Sequence, residues 1–294
     1  MAGRKVASSI AASLVVVLVG ALVAWAGSQG GATVGSMPVF ALIVCYAFAV
    51  QWLAFVPSYL GQTERYYDLT GSFAYISAIV LAVVLSGATD ARSIVLLVLV
   101  LVWAGRLGPF LFRRVRRAGK DDRFDEIKRS FSRLLMTWTL QGLWVSLTLA
   151  AALAAVTSIE PKGIDVFAFV GLAVWALGFA LEATADLQKS RFRADPANKG
   201  SFITSGLWTI SRHPNYLGEI TLWIGIAIIA LPVLRGWQFV TLISPVFVYL
   251  LITRVSGVPL LEKKADATWG GREAYEAYKR RTPVLIPFLG RKQR

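Results

Sequence analysis

The sequence predicts an all-α fold, a polytopic integral membrane bundle of seven or eight transmembrane helices. Three observations predict it. The 294 residues are 56% hydrophobic with a mean hydropathy of +0.59, above the roughly 45–50% apolar content of a soluble domain. The apolar residues fall in runs of roughly 15–24 residues separated by short polar loops, the length a helix needs to cross hydrocarbon. The formal net charge of +14 is concentrated in particular loops, as the positive-inside rule requires. No basic stripe lies on a soluble domain, so nucleic acid is not the expected partner. Cys45 stands alone in an apolar run, and the chain has a single histidine. A disulfide framework and a zinc site are therefore not expected, nor any other metal site.

The first apolar run, Ile10 to Ala26, follows Arg4 and Lys5. It has the shape of a signal peptide, but it is long and poorly followed by a cleavage site, so it reads as a span. Further runs are Pro38 to Leu60, Leu69 to Leu85, Ser93 to Phe112, Leu134 to Val156 and Val166 to Leu181. Leu217 to Leu231 and Trp237 to Ile252 follow, joined by a Pro/Gly break that predicts a tight hairpin or one broken helix. Loop 113–133 carries nine basic residues against four acidic, loop 186–215 five against two, and the tail from Arg254 ten against four. Eight crossings place all of these on one side with the N-terminus, whereas seven need a re-entrant run. The basic side is expected to be cytoplasmic. No internal repeat or low-complexity linker is visible. The chain reads as one membrane domain, residues 1–294, with substrate-side helices in 1–112 and a cofactor-binding half in 113–294.

Polar residues inside or beside the runs are the candidate site. Arg106 lies about two turns before the end of its run; it either snorkels to the interface or points into a polar cavity and pairs with an anion. Arg113, Arg114, Arg116 and Arg117 continue that helix as a cationic face, which anchors the helix or grips phosphate. Glu182 and Asp186 are four residues apart on one helix face and repel each other. Either Arg191 and Arg193 neutralise them, or they accept hydrogen bonds from a bound nucleotide. Asp195 to Gly200 is turn-rich, and its amides with Asn198 and Lys199 could form a phosphate nest. Asp68 opens the third run as an N-cap, or faces a cavity with Glu64, Tyr66 or Tyr67, where an acid beside a phenol can hold a proton. The densest group is Arg212, His213, Asn215, Tyr216 and Glu219, at the mouth of an apolar run. Polar groups there are costly unless they bind something. In the tail, Tyr275 and Tyr278 share a face of a surface helix or of a lid over a nucleotide. Walker, nucleophile-elbow, zinc-protease and Rossmann motifs are absent. Any nucleotide must be held by the membrane domain itself.

Taken in order, these pieces resemble the steroid 5α-reductase superfamily. They are Trp103-x-x-Arg106 and the arginines after it, Glu182-x-x-x-Asp186, Arg193, Asn198-Lys-Gly200, Gly206-Leu-Trp, Ser211-Arg-His-Pro-Asn-Tyr-x-Gly-Glu219, and Glu262 with Tyr275-x-x-Tyr278 and Ile286-Pro-Phe. The match runs over roughly residues 100–288. It is nearest to the bacterial membrane branch, the 3-oxo-5-alpha-steroid 4-dehydrogenase C-terminal-like family. The resemblance implies an NADPH-dependent reductase of 3-oxo-Δ4 steroids or other flat apolar enones, in the bacterial inner membrane with its cofactor on the cytoplasmic side. By matched position it implies cofactor contacts at Arg106, Arg114, Arg117, Glu182, Asp186, Arg193, Asn198, Lys199, Arg212, His213, Asn215, Tyr216, Glu219, Tyr275 and Tyr278. The family's Gln-Glu pair before a helical Tyr is missing here, where Pro57-Ser-Tyr59 stands. Trp103 falls where that tyrosine would be, by its spacing from Arg106. The carbonyl-polarising role then passes to Asp68 or Glu64, with Tyr66 or Tyr67.

Sterol reductases and isoprenylcysteine carboxyl methyltransferases share the tail signature, so an S-adenosylmethionine-dependent methyltransferase is the rival. The arginines favour NADPH, because S-adenosylmethionine carries no phosphate. A transporter is a third reading, against which stands the lack of a second half like the first. The expected partners are the apolar substrate and membrane lipid, and the expected state is a monomer.

Overall fold

The computed structural model describes residues 2–118 and 124–287. Ten α-helices and one two-stranded hairpin account for most of the described chain. Eight helical segments are long and apolar enough to cross a membrane: Val6–Gly27, Val39–Leu60, Tyr67–Ser86, Ala91–Arg113, Phe131–Val156, Val166–Ala194, Pro214–Val233 and Gly236–Trp269. The protein is an integral membrane helical bundle.

The chain divides into two compact units, one of Met1–Ala168 with Ile229–Ser244 and one of Phe169–Ile228 with Pro245–Arg294. The boundary falls in the first turn of a helix, so Phe131–Val156 belongs with the four helices before it. In the first unit, α1 (Ala2–Gly27) leads through the hairpin β1 (Thr33–Val34) and β2 (Met37–Pro38) into α2 (Val39–Leu60). Then come α3 (Tyr67–Ser86), α4 (Ala91–Ala118) and α5 (Phe131–Val156). The last of these is buried almost all round, every residue from Leu149 to Val156 included. A helix apolar on every face belongs in the middle of a bundle, and its alanine run lets neighbours approach. Phe48 of α2 sits in notches left by Gly20 of α1 and Gly142 of α5, where any Cβ would strike its ring. Helices α3 and α4 run antiparallel along a ladder: Tyr66 stacks on Phe112, Ser72 faces Gly108, and Tyr75 meets Trp103 edge to face at 5.0 Å.

At one end of this unit the loops are tied by a residue that charge counting passes over. Arg92, first turn of α4, is 1% exposed. Its guanidinium donates to the carbonyls of Lys162 (3.1 Å), Gly163 (2.6 Å) and Ile229 (2.5 Å) and pairs with Asp165 at 2.9 Å. The planar fork of five donors is what makes one side chain able to tie the loop 157–165 to Ile229. The rim is completed where Ala32 N–H donates to Thr157 O at 2.6 Å.

In the second unit, α6 (Val166–Ala194) is followed by 3₁₀ turns at Pro196–Asn198 and Gly206–Thr209, then α7 (Pro214–Ala230). The chain re-enters this unit in α8 (Ile243–Leu250), which loosens into a π-helical turn at Leu251–Val255 and resumes as α9 (Gly257–Trp269) and α10 (Glu273–Arg281). The break after α7 is built from 3₁₀ turns at Leu231–Val233 and Gly236–Leu242, because Pro232 has no N–H to continue the helix.

Replacing Arg92 by Met strips the donor from three carbonyls and a carboxylate. The bond to Ile229 is buried, and leaving its carbonyl unsatisfied costs about 1–3 kcal/mol. The melting temperature in detergent should fall by at least about 2 °C, and an unchanged melting temperature would show that the knot carries no stability.

Candidate functional site

The second unit is organised by a glycine seam. Gly178 of α6 faces the backbone of Leu222 and Gly218, Gly218 of α7 faces the backbone of Glu182, and Gly225 faces Gly171 and Trp175. At each of these three glycines a Cβ would collide with main chain, not with a movable side chain. Helices that touch at backbone distance gain dispersion contact along the whole seam, the usual solution in lipid. Gly218 sits in the second turn of α7, so the seam sets the start of α7 against Glu182. Glu182 and Asp186 are both buried, at 2% and 7% exposure.

The turn that delivers the chain to α7 is fixed on α6. Leu207 N–H donates to Gln188 Oε1 at 3.0 Å and Trp208 Nε1 to Ala185 O at 3.3 Å. The Lys189 ammonium stands 4.4 Å over the Trp208 ring. Gly206 adopts φ +60 directly over Gln188, which leaves no space for a side chain. From this anchor run Ser211, Arg212 and His213.

Glu262 on α9 is the hub. One carboxylate oxygen lies 2.8 Å from His213 Nε2, the other 2.7 Å from an Arg212 guanidinium nitrogen. Tyr216 stacks on the imidazole with ring centres 5.7 Å apart, in space left by Gly257. His213 is 5% exposed, and its Nδ1 has no hydrogen-bond partner among the described residues; nor has Arg212 Nε. With Nε2–H donating to Glu262, Nδ1 presents a lone pair to the interior. Burial disfavours the imidazolium and outweighs the neighbouring Glu262 carboxylate, so the pKa lies below the ordinary 6.5.

The tail closes over this turn. Arg212 N–H donates to Pro283 O at 2.9 Å. Tyr278 OH donates to Trp208 O at 2.7 Å, and Tyr275 OH to Asp266 at 3.2 Å. Both tyrosines are buried around Phe202. Burial raises both phenols, Tyr278 to about 12. The sequence left a surface helix or a lid for this pair; in the structure the two tyrosines pack inside their own unit.

Of the other sequence candidates in this unit, Arg193 and Lys199 are exposed, while Asn215 and Glu219 are half-buried. Asn198 donates its side-chain amide to Phe192 O at 3.0 Å. In the loop read as a phosphate nest, the amides of 197, 198, 199 and 201 already donate to Asp195, Pro196 or Asn198. The side chains of Arg114 and Arg117, with Phe288, lie outside the described residues.

Glu64, Tyr67, Asp68, Trp103 and Arg106 belong to the first unit. Glu64 is buried and paired with Lys128 at 2.9 Å. Tyr67 OH donates to Thr137 O at 3.1 Å, between the rings of Phe124 and Trp138. Asp68 lies in the first turn of α3, whose N-cap is Tyr66, and so does not cap the helix. Trp103 is buried against Tyr75. Sequence reading missed the glycine seam, although the seven-residue spacings Gly171/Gly178 and Gly218/Gly225 announce it. It placed Glu262 in the tail signature but not against Arg212 and His213, because His213 and Glu262 are forty-nine residues apart in the chain.

A family model described as a protein of unknown function (DUF1295) matches residues 54–282. The chain belongs to this family. It is a membrane family related to the steroid 5-alpha-reductases, and the relation supports an enzyme. Among curated proteins the chain is similar to "Probable O-methyltransferase ustE" of Ustilaginoidea virens, 36% identical over 53 residues. That stretch covers 18% of each chain, so this protein spans under a fifth of the relative's length. No solved structure matches the chain.

The buried imidazole predicts a pH effect. The folded protein binds its proton less readily than the unfolded chain, whose histidine titrates near 6.5. His213 therefore costs nothing above that pH and destabilises the fold as the pH drops below it. Between pH 7.5 and 5 the melting temperature of wild type should fall more than that of His213→Gln; parallel curves would refute the assignment.

Proposed function

We propose that the protein is a membrane oxidoreductase that uses NADPH to reduce the Δ4 double bond of a 3-oxo-Δ4 steroid or a similarly flat apolar enone. The observation that carries the reading is the Arg212–Glu262–His213 centre. It is charged, with His213 buried and Arg212 and Glu262 half-buried, and it keeps His213 Nδ1 and Arg212 Nε without partners among the described residues. Orphaned polar atoms in a buried site cost stability unless a ligand satisfies them. Membership of a family related to the steroid 5-alpha-reductases supports the same reading.

The residues present fit such a nucleotide. His213 Nδ1 would accept a hydrogen bond from it, Arg212, Arg193 and Lys199 would meet its phosphates, and Glu182 and Asp186 would accept from ribose or amide groups. When bound, NADPH supplies the hydride for the enone's β-carbon. The chain supplies the proton chemistry at the carbonyl. Glu64 is engaged by Lys128, and the Tyr67 hydroxyl already donates to Thr137. Asp68, in the first turn of α3, is the acid we assign to that carbonyl. Apolar spans around the substrate keep water from competing for it. By the charge asymmetry of the loops, the cofactor side faces the cytoplasm of a bacterial inner membrane.

A second reading has one observation in its favour. The 53-residue similarity to a protein named an O-methyltransferase supports S-adenosylmethionine as the occupant of the same centre, with methyl transfer as the reaction.

Thermal shift separates the two. In detergent, NADPH should raise the melting temperature of wild type and of Asp68→Asn alike at about 100-fold over its Kd, while turnover of a steroid enone is lost in the variant. Stabilisation by S-adenosylmethionine and not by NADPH overturns the reductase reading in favour of the methyltransferase.

A further inference from the structure

The second unit contains an open cleft of about 500 Å³ whose Tyr249 and Arg254 have no part in the proposed reaction or the sequence motifs. Arg212, Arg254 and Lys279 reach it, Tyr249 borders it, and Val284 and Ile286 form part of its apolar wall; no acidic residue lines it. Two of the three cations are already matched, Arg212 by Glu262 at 2.7 Å and Lys279 by Asp266 at 2.8 Å. Arg254 is different. It has no acidic partner among the described residues, it is exposed, and it projects from the π-helical turn Leu251–Val255. Such a turn inserts one residue into a helix and is found mostly at functional positions.

What lies beside the cleft identifies the kind of ligand. On α8 and the π-helical turn, Val246, Leu250 and Val255 are exposed at 51%, 47% and 62%. They belong to the segment Gly236–Trp269, which is apolar and long enough to span. An apolar face that continues into a cationic cleft suits a molecule with an anionic head and a hydrocarbon body. A soluble nucleotide would leave the apolar face bare.

We propose that this cleft binds the phosphate headgroup of an anionic membrane phospholipid, with Arg254 as the principal contact and the acyl chains along α8. Guanidinium grips phosphate oxygens through paired hydrogen bonds, and the Tyr249 hydroxyl adds a further donor. The lipid site adjoins the cofactor centre around His213, because Arg212 lines the cleft and pairs with Glu262.

Native mass spectrometry of the full chain in detergent, with phosphatidylglycerol and phosphatidylcholine of identical acyl chains, tests this. Phosphatidylglycerol should be retained in preference. Arg254→Gln should weaken that retention about fivefold, Arg254→Lys should restore part of it, and Arg191→Gln, at an exposed arginine outside the cleft, should leave it unchanged. A melting curve confirms that each variant is folded. Equal retention of the two lipids, or an Arg254→Gln variant that binds phosphatidylglycerol normally, overturns the proposal. Displacement of the lipid by glycerol 3-phosphate at similar concentration overturns it in favour of a free-phosphate site. Displacement by NADPH assigns the cleft to the cofactor, which also overturns it and leaves the reductase reading standing.

Discussion

Two helices that approach to backbone distance set everything else in the second unit. With glycine at 171, 178, 218 and 225, α6 and α7 meet where any side chain would collide with main chain. In a bilayer, burial of apolar surface gives no advantage to one helix pairing over another, so shape must do the selecting. The seam holds the start of α7 against the level of Glu182 on α6. A looser contact would leave room for water or lipid among the buried acids and the turn that bears His213. The polar centre is thus a consequence of close packing rather than an addition to it.

The centre itself shows how a membrane protein keeps charge inside. Glu262 takes both Arg212 and His213, so one carboxylate from α9 answers two neighbouring residues of the turn before α7. Tyr278 and Pro283 fasten that same turn from the tail. A buried ion pair adds little net stability by itself, but removal of one partner is expensive. The arrangement therefore specifies one geometry strongly, which is what a ligand-binding centre needs. His213 Nδ1 and Arg212 Nε, which have no partner among the described residues, define where a ligand's polar groups would go. In the first unit Arg92 follows the same logic for a structural end: all of its hydrogen bonds are internal, and it ties loops.

Much of the fold was legible in the chain. Run length and charge asymmetry predict eight spans and the break near Pro232, because hydrocarbon thickness and the lack of a proline N–H act locally. The crowded turn around His213 was legible as a polar cluster, because polar groups at the mouth of an apolar run demand partners. Partners distant in sequence were not legible. Nothing near His213 points to Glu262, forty-nine residues later, nor does Arg92 announce the carbonyls of Gly163 and Ile229. Tyr275 and Tyr278 show the limit of periodicity: the i, i+3 spacing gives a shared face but not whether that face meets lipid, ligand or the protein's own Phe202. The division into units was hidden as well, since it falls inside an unbroken helix.

We infer that the buried imidazole is a neutral, ligand-accepting group in a nucleotide centre. The chain has one histidine, so a sample labelled with ¹⁵N-histidine and freed of any affinity tag gives a single imidazole spectrum. In the free protein at pH 7 the account predicts a protonated Nε2 and an unprotonated Nδ1. Saturating NADPH should move the Nδ1 resonance toward that of a hydrogen-bonded acceptor and leave Nε2 nearly unchanged. An imidazolium spectrum in the free protein, or an Nδ1 resonance indifferent to both NADPH and S-adenosylmethionine, would contradict it.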